Sequence, residues 1–318
     1  MKKYPLKLTY TAKPAIWGGN TLSKNWGKVS KDDNIAETWE LSVREKEMAT
    51  VIGGEADGLT LSEYFDAAGY DSVSAQYKKG VRFPLLVKLI DAADKLSVQV
   101  HPDDDYAGKV EGDSGKTEMW YIVDAAEGAE IIYGLADGTD SDGFRRAFEE
   151  GHLDSAMKKI KVQAGQTYFI PAGMVHAIGA GILIAEIQQN SDLTYRVYDY
   201  DRIGADGKKR ELHTAKALDV VRPYTEEQVN AIRYSCGYDP SLLANNDFFK
   251  VKRLCVSGSE TLHADERSFV SLLCLDGNGA IEFDGEKYPI FKGESYFCPA
   301  GMGEFKLTGN VEIICSTL

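Results

Sequence analysis

Gln99 and His101 stand two residues apart in Ser97-Val98-Gln99-Val100-His101-Pro102. On an extended strand that spacing puts both on one face with Ser97, while Val98 and Val100 take the other. One polar and one apolar face suit a barrel wall that lines a pocket. Glu118 follows in Lys116-Thr117-Glu118-Met119-Trp120-Tyr121, and His176 closes Pro171-Ala172-Gly173-Met174-Val175-His176. Together an amide, two imidazoles and a carboxylate form a mixed nitrogen and oxygen ligand set of the kind zinc and other divalent metals accept.

The elements that must position these side chains read as short strands punctuated by glycine, such as Thr194-Tyr195-Arg196-Val197-Tyr198 and Ala280-Ile281-Glu282-Phe283. Gly165-Gln166-Thr167-Tyr168-Phe169-Ile170-Pro171-Ala172-Gly173-Met174 recurs as Gly293-Glu294-Ser295-Tyr296-Phe297-Cys298-Pro299-Ala300-Gly301-Met302. Each copy is a turn glycine, an aromatic strand and a Pro-Ala-Gly turn that ends pairing. Two copies imply two related β modules. Two residues past the methionine the first copy has His176 and the second Glu304, and the second module has no Gln-x-His pair. It reads as a metal-free scaffold.

Helices are expected at Leu61–Ala68, and at Phe144–Glu150 with Ser155–Ile160 as an insertion before the first repeat copy. A capping box opens a further helix at Thr225-Glu226-Glu227-Gln228. The fold class is therefore mainly β: two β-barrel or jelly-roll modules, at residues 1–222 and 223–318, with helical insertions. The run Asp103-Asp104-Asp105 lacks the glycine and distal glutamate of an EF-hand loop and reads as a solvated turn. His152, His213 and His263 have no partners at ligand spacing and read as solvated or satisfied side chains.

The chain has 318 residues, 43% of them hydrophobic and 27% charged, the composition of an ordinary globular protein. Its formal charge of -13 argues against nucleic acid or an anionic membrane as partner, so an anionic substrate needs a local basic patch. Cys236, Cys255, Cys274, Cys298 and Cys315 show no CxxC spacing and read as reduced core thiols of a cytoplasmic protein. No signal peptide is expected, since no apolar run follows Lys2 and Lys3, and no window has the length of a membrane span.

Gly165-x5-Pro171-x-Gly173-x2-His176 resembles the second motif of the cupin barrels, and Gln99-Val100-His101 with Glu118 downstream resembles the first. Further segments narrow the resemblance to the type I mannose-6-phosphate isomerases in their short form: Trp17-Gly18-Gly19, Pro84-Leu85-Leu86-Val87-Lys88, Gly115-Lys116-Thr117-Glu118, and Glu186 ahead of Arg196. These lie in the family's order from residue 17 to 202, whereas the C-terminal third resembles it only as a second cupin module. The resemblance implies one zinc ion per chain on Gln99, His101, Glu118 and His176. It further implies an active-site arginine at Arg196, a substrate-site lysine at Lys116 and a pocket carboxylate at Glu186. The segment ending at Lys88 is also similar, and Arg202 is a secondary candidate for phosphate contact.

The chemistry agrees with this reading. Aldose–ketose isomerisation moves a proton between C2 and C1 through an enediol, so the enzyme must hold a carbonyl and stabilise a developing enediolate. Lys116 and Arg196 suit an anionic sugar phosphate or that enediolate. Glu186 has two readings, a carboxylate that orients Arg196 or one that transfers the proton. Two rivals stand beside the isomerase: a non-haem iron cupin oxygenase, since two histidines and a carboxylate also describe that site, and a sugar-binding cupin without catalysis. The sequence leaves the oligomeric state open.

Overall fold

The computed structural model describes residues 1–32, 34–204 and 207–318. Antiparallel strands dominate, in three sheets. A six-stranded sheet runs in the order 167–170, 118–125, 182–189, 85–92, 37–41, 11–13, and a five-stranded sheet in the order 195–198, 98–100, 176–178, 130–135, 157–161. The third, eight-stranded sheet holds the C-terminal strands and also Leu6–Leu8 and Val51–Ile52 from near the start of the chain. Leu6 pairs with Phe297 and Lys7 with Ile52, so this sheet draws its strands from distant parts of the sequence.

The central strands Leu85–Ala92 and Ile182–Gln189 are buried along their whole length. Val87, Leu89, Ala185 and Ile187 enter the main apolar cluster, while Lys88 and Glu186, on the alternate positions, line a cavity. In the five-stranded sheet Val98 and Val100 join a separate apolar cluster with Phe144, Val175 and Val197. Gln99, between them, takes the opposite face and lines the same cavity.

Both repeat copies form the expected strands, Thr167–Ile170 and Ser295–Cys298. Each then turns on a glycine in the left-handed region, Gly173 at φ 92 and Gly301 at φ 72. A Cβ on Gly173 would also sit 2.8 Å from the Val220 carbonyl oxygen. The strands of the second copy pack on an apolar cluster that includes Cys274, Cys298, Phe305 and Cys315.

Helices form at Leu61–Ala68, Ser141–Glu149 and Glu226–Arg233, and the capping box at Thr225 is present with Gln228. The expectation for Ser155–Ile160 is corrected: Leu153–Ala156 is a single short 3-10 turn, and Met157–Lys161 is an edge strand on Glu130–Leu135. Ladder bonds to the neighbouring strand override the weak local helix preference, and the exposed Lys158, Lys159 and Lys161 protect the edge from further pairing. The solvated turn at Asp103–Asp105 is corrected too. Asp103 is the N-cap of the helix Asp104–Val110 and accepts from the Tyr106 N–H, with Asp104 and Asp105 in the first turn where the helix dipole favours negative charge. All five cysteines are free, but only Cys274, Cys298 and Cys315 are core thiols; Cys236 and Cys255 are exposed. Among the described residues no helix is long and apolar enough to cross a membrane.

Strand Glu37–Leu41 joins the cavity to the C-terminal sheet. Glu37 lines the cavity, whereas Thr38 and Glu40 point away from it. Glu40 is 2.5 Å from the Lys28 ammonium and accepts from the hydroxyls of Thr38 (2.6 Å) and Ser295 (2.9 Å). Lys28 in turn donates to the Gly293 carbonyl at 2.6 Å. Both charged side chains are 2% exposed. Removing one partner leaves a buried, uncompensated charge, so Lys28→Ala or Glu40→Ala should each cost about 3–5 kcal/mol in urea unfolding, and Lys28→Met with Glu40→Leu should recover most of the loss.

Candidate active site

His101, Glu118 and His176 bring their ligand atoms within 4.8 Å of one another, all fully buried. His101 Nδ1 lies 2.7 Å from the Leu193 carbonyl oxygen and His176 Nδ1 lies 2.8 Å from that of Met174. A carbonyl can only accept, so each Nδ1 carries the proton and each Nε2 offers its lone pair to the cluster. His101 Nε2 is 3.1 Å from Glu118 Oε1 and His176 Nε2 is 3.8 Å from Oε2. The Gln99 amide lies 3.4 Å from His176 Nε2.

Burial pushes His101 down to about 3, with the Lys116 charge adding to it, and burial also lowers His176. Both are neutral imidazoles, the form that binds metal. Burial works to raise Glu118, but the Lys116 ammonium beside it holds it well below the usual carboxylate range. Its Oε2 accepts from Trp120 Nε1 at 3.0 Å, while the buried Oε1 is ion-paired with the Lys116 ammonium 2.7 Å away. Two neutral Nε2 atoms, an ionised carboxylate with a free lone pair and an adjoining amide fit a divalent ion.

In front of this cluster lies a cavity of about 450 Å³ that Gln99, Lys116, Glu186 and Arg196 all reach, as does Lys88. Strand register explains the convergence. In the six-stranded sheet Trp39 pairs with Lys88, Lys88 with Glu186 and Glu186 with Trp120, one row across four strands. In the five-stranded sheet Arg196 pairs with Gln99, and Gln99 with His176. The two rows meet where Trp120 packs edge-on against His176, with ring centroids 5.5 Å apart.

Glu186 Oε2 accepts from Trp120 Nε1 at 2.8 Å, and its Oε1 is buried without a hydrogen bond, 3.6 Å from Lys88 Nζ. Burial first, then the nearby Glu118 charge, pushes this carboxyl up to about 7. Among the described residues no hydrogen bond or ion pair joins Glu186 to Arg196. The Arg196 guanidinium donates to the Glu211 carbonyl at 2.8 Å, and its buried Nε has no hydrogen-bond partner. No carboxylate pairs with it among the described residues.

Arg202 does not line the cavity; it is held by Asp199 and by the Lys95 carbonyl. Asp199 also binds Arg210, which does line it. His213 is a satisfied side chain that accepts the Arg196 backbone N–H at 3.3 Å, and it too forms part of the wall. His152 and His263 are exposed. Sequence reasoning passed over Glu37, whose carboxylate accepts from Trp39 Nε1 at 2.8 Å. A signal for it exists: Glu37-x-Trp39 repeats the spacing of Glu118-x-Trp120, and each indole holds the carboxylate two residues before it.

The chain matches the family model for phosphomannose isomerase type I, catalytic domain, over residues 6–146, and that for mannose-6-phosphate isomerase, cupin domain, over 241–318. It is 38% identical to mannose-6-phosphate isomerase ManA of Bacillus subtilis over the full length of both. It is 37% identical to mannose-6-phosphate isomerase of Streptococcus mutans, covering 98% of each. The crystal structure of mannose 6-phosphate isomerase from Bacillus subtilis superposes with a TM-score of 0.88 at 34% identity, covering 99% of both chains. A putative mannosephosphate isomerase from Archaeoglobus fulgidus shares the fold at 20% identity, with a TM-score of 0.77 over 99% of this chain and 97% of that one.

Metal content by mass spectrometry and chelator competition test the cluster. Trp120→Phe removes a hydrogen bond to the candidate ligand carboxylate of Glu118 and should weaken metal affinity by roughly 10–100-fold. His176→Ala removes a ligand atom and should cost more.

Proposed function

The chain belongs to the type I mannose-6-phosphate isomerases, and we propose that it interconverts D-mannose 6-phosphate and D-fructose 6-phosphate with one zinc ion held by Gln99, His101, Glu118 and His176. The observation that carries this reading is the buried His101–Glu118–His176 cluster, joined through Gln99 and Lys116 to a cavity that also presents Lys88, Glu186 and Arg196. When bound, the ion supplies Lewis-acid charge that polarises a substrate oxygen. Every other step falls to the side chains. Arg196, which has no carboxylate partner among the described residues, takes the phosphate or the oxygen that becomes negative as the enediol forms. Lys116 offers a second positive charge beside the cluster. Glu186 takes the proton from one of C1 and C2 and returns it to the other, its raised carboxyl suited to exchange near neutral pH.

The catalytic work is assigned to residues 1–222, and 223–318 form a second, metal-free module of the cupin type. Within that module apolar and sulfur-bearing side chains fill the cluster around Cys274, Cys298 and Cys315. A cytoplasmic location fits the five free thiols and a phosphorylated substrate. The iron oxygenase is disfavoured by the amide at Gln99 and the ammonium of Lys116, 2.7 Å from the ligand carboxylate.

A coupled assay decides the matter. Mannose 6-phosphate should turn over in metal-replete protein, stop on chelation and resume when zinc is restored; no turnover in the replete protein would sink the reading. Arg196→Ala should lower kcat by about 10²–10³-fold, the cost of losing one preorganised charge, with metal content unchanged. If the metal is lost as well, Arg196 is structural.

A further inference from the structure

We propose that Glu37 is a positioning residue of the active site, acting through Lys88. The inference rests on the isomerase reading above. Lys88 Nζ is held between two carboxylates, 3.4 Å from Glu37 Oε2 and 3.6 Å from Glu186 Oε1, and 4.7 Å above the ring of Trp39. Its side chain is 5% exposed and lines the cavity. At these separations the ammonium donates no hydrogen bond to a described residue. Its donors therefore face the cavity, where an oxygen of the substrate can take them.

That balance needs a second negative charge. A lysine has a flexible stem, and a single facing carboxylate draws its ammonium into direct contact, as Glu118 draws Lys116 to 2.7 Å. With Glu37 neutral, the only carboxylate of a described residue left within 4 Å of Lys88 would be Glu186, and the ammonium would close on Oε1. This would occupy the one oxygen of Glu186 that accepts no hydrogen bond and withdraw the lysine donors from substrate. Glu37 is itself fixed by the Trp39 indole, so the pull on Lys88 has a set direction. The sequence Glu37-Thr38-Trp39 thus does for Lys88 what Glu118-Met119-Trp120 does for Lys116: an indole two residues on aims a carboxylate at a cation.

The test is a double-mutant cycle in the full-length, metal-replete protein. Glu37→Gln keeps the size of the side chain and an acceptor for Trp39 Nε1. It is expected to lower kcat by about 10²-fold, the scale of an ångström-level misplacement, with KM and metal content close to wild type. In the Lys88→Gln background the same substitution should cost nothing further, because the group it acts through is gone. Glu37→Asp should restore part of the rate lost in Glu37→Gln. The proposal is overturned if Glu37→Gln leaves kcat unchanged, if its full cost persists in the Lys88→Gln background, or if the rate falls through loss of metal. Wild-type protein that fails to turn over mannose 6-phosphate removes the isomerase reading itself. An active wild type with an indifferent or additive Glu37→Gln removes only this inference.

Discussion

The carboxylate of Glu118 is buried out of water, and its negative charge has to be met by groups brought to it rather than by solvent. The Lys116 ammonium and the Trp120 indole N–H flank it within its own segment, and the imidazoles of His101 and His176 reach it from two other segments of the chain. Lys116 arrives on a loop whose shape is set in turn by its neighbours. The Lys116 N–H donates to the Pro102 carbonyl, the Thr117 N–H to Gln189, and the Gly115 N–H to Asp104. A Cβ at Gly115 would fall on the backbone of Asp103 and Asp104. The acidic stretch at the start of the Asp104–Val110 helix thus serves as the dock for the loop that delivers the compensating cation.

The candidate metal ligands were legible because their spacing is local. Gln99 and His101 lie two apart, and Pro171–His176 is one turn and the start of a strand, so alternation and turn chemistry place the side chains while the motif resemblance marks them as a ligand set. The row Trp39–Lys88–Glu186–Trp120 was not, since it exists only through the register of four strands far apart in sequence. For the same reason Lys88 could be noticed without being placed, and Glu37 escaped notice. Arg202 illustrates a different limit. Composition marks an arginine beyond Arg196 as useful, but which arginine faces the cavity depends on how Asp199 shares itself between Arg202 and Arg210.

The repeat shows how one local pattern supports two outcomes. Both copies make the same strand and the same left-handed glycine turn, yet the first leads into His176 and the second into a strand packed on thiols and aliphatic side chains. Backbone chemistry fixes the turn, and the residues that follow decide whether the interior holds charge or excludes it. The second copy still bears on the cavity, because Gly293 and Ser295 complete the hydrogen bonding of Lys28 and Glu40. Glu40 shares a strand with Glu37, so the second repeat copy helps to hold a wall of the cavity.

The pairing of Leu6–Leu8 with Ser295–Cys298 has a consequence for the order in which the molecule can be built. A chain made from its N-terminus has to carry this strand with one edge open until nearly all the remaining residues have left the ribosome. The Lys28–Glu40 pair waits equally long for Gly293 and Ser295, and until then two charges sit at the edge of a forming core. Hydrophobic collapse around the five- and six-stranded sheets can precede that moment, but closure cannot. A nascent chain halted before residue 293 should therefore present an unpaired apolar strand and a half-satisfied ion pair, the signature that chaperones and proteases recognise.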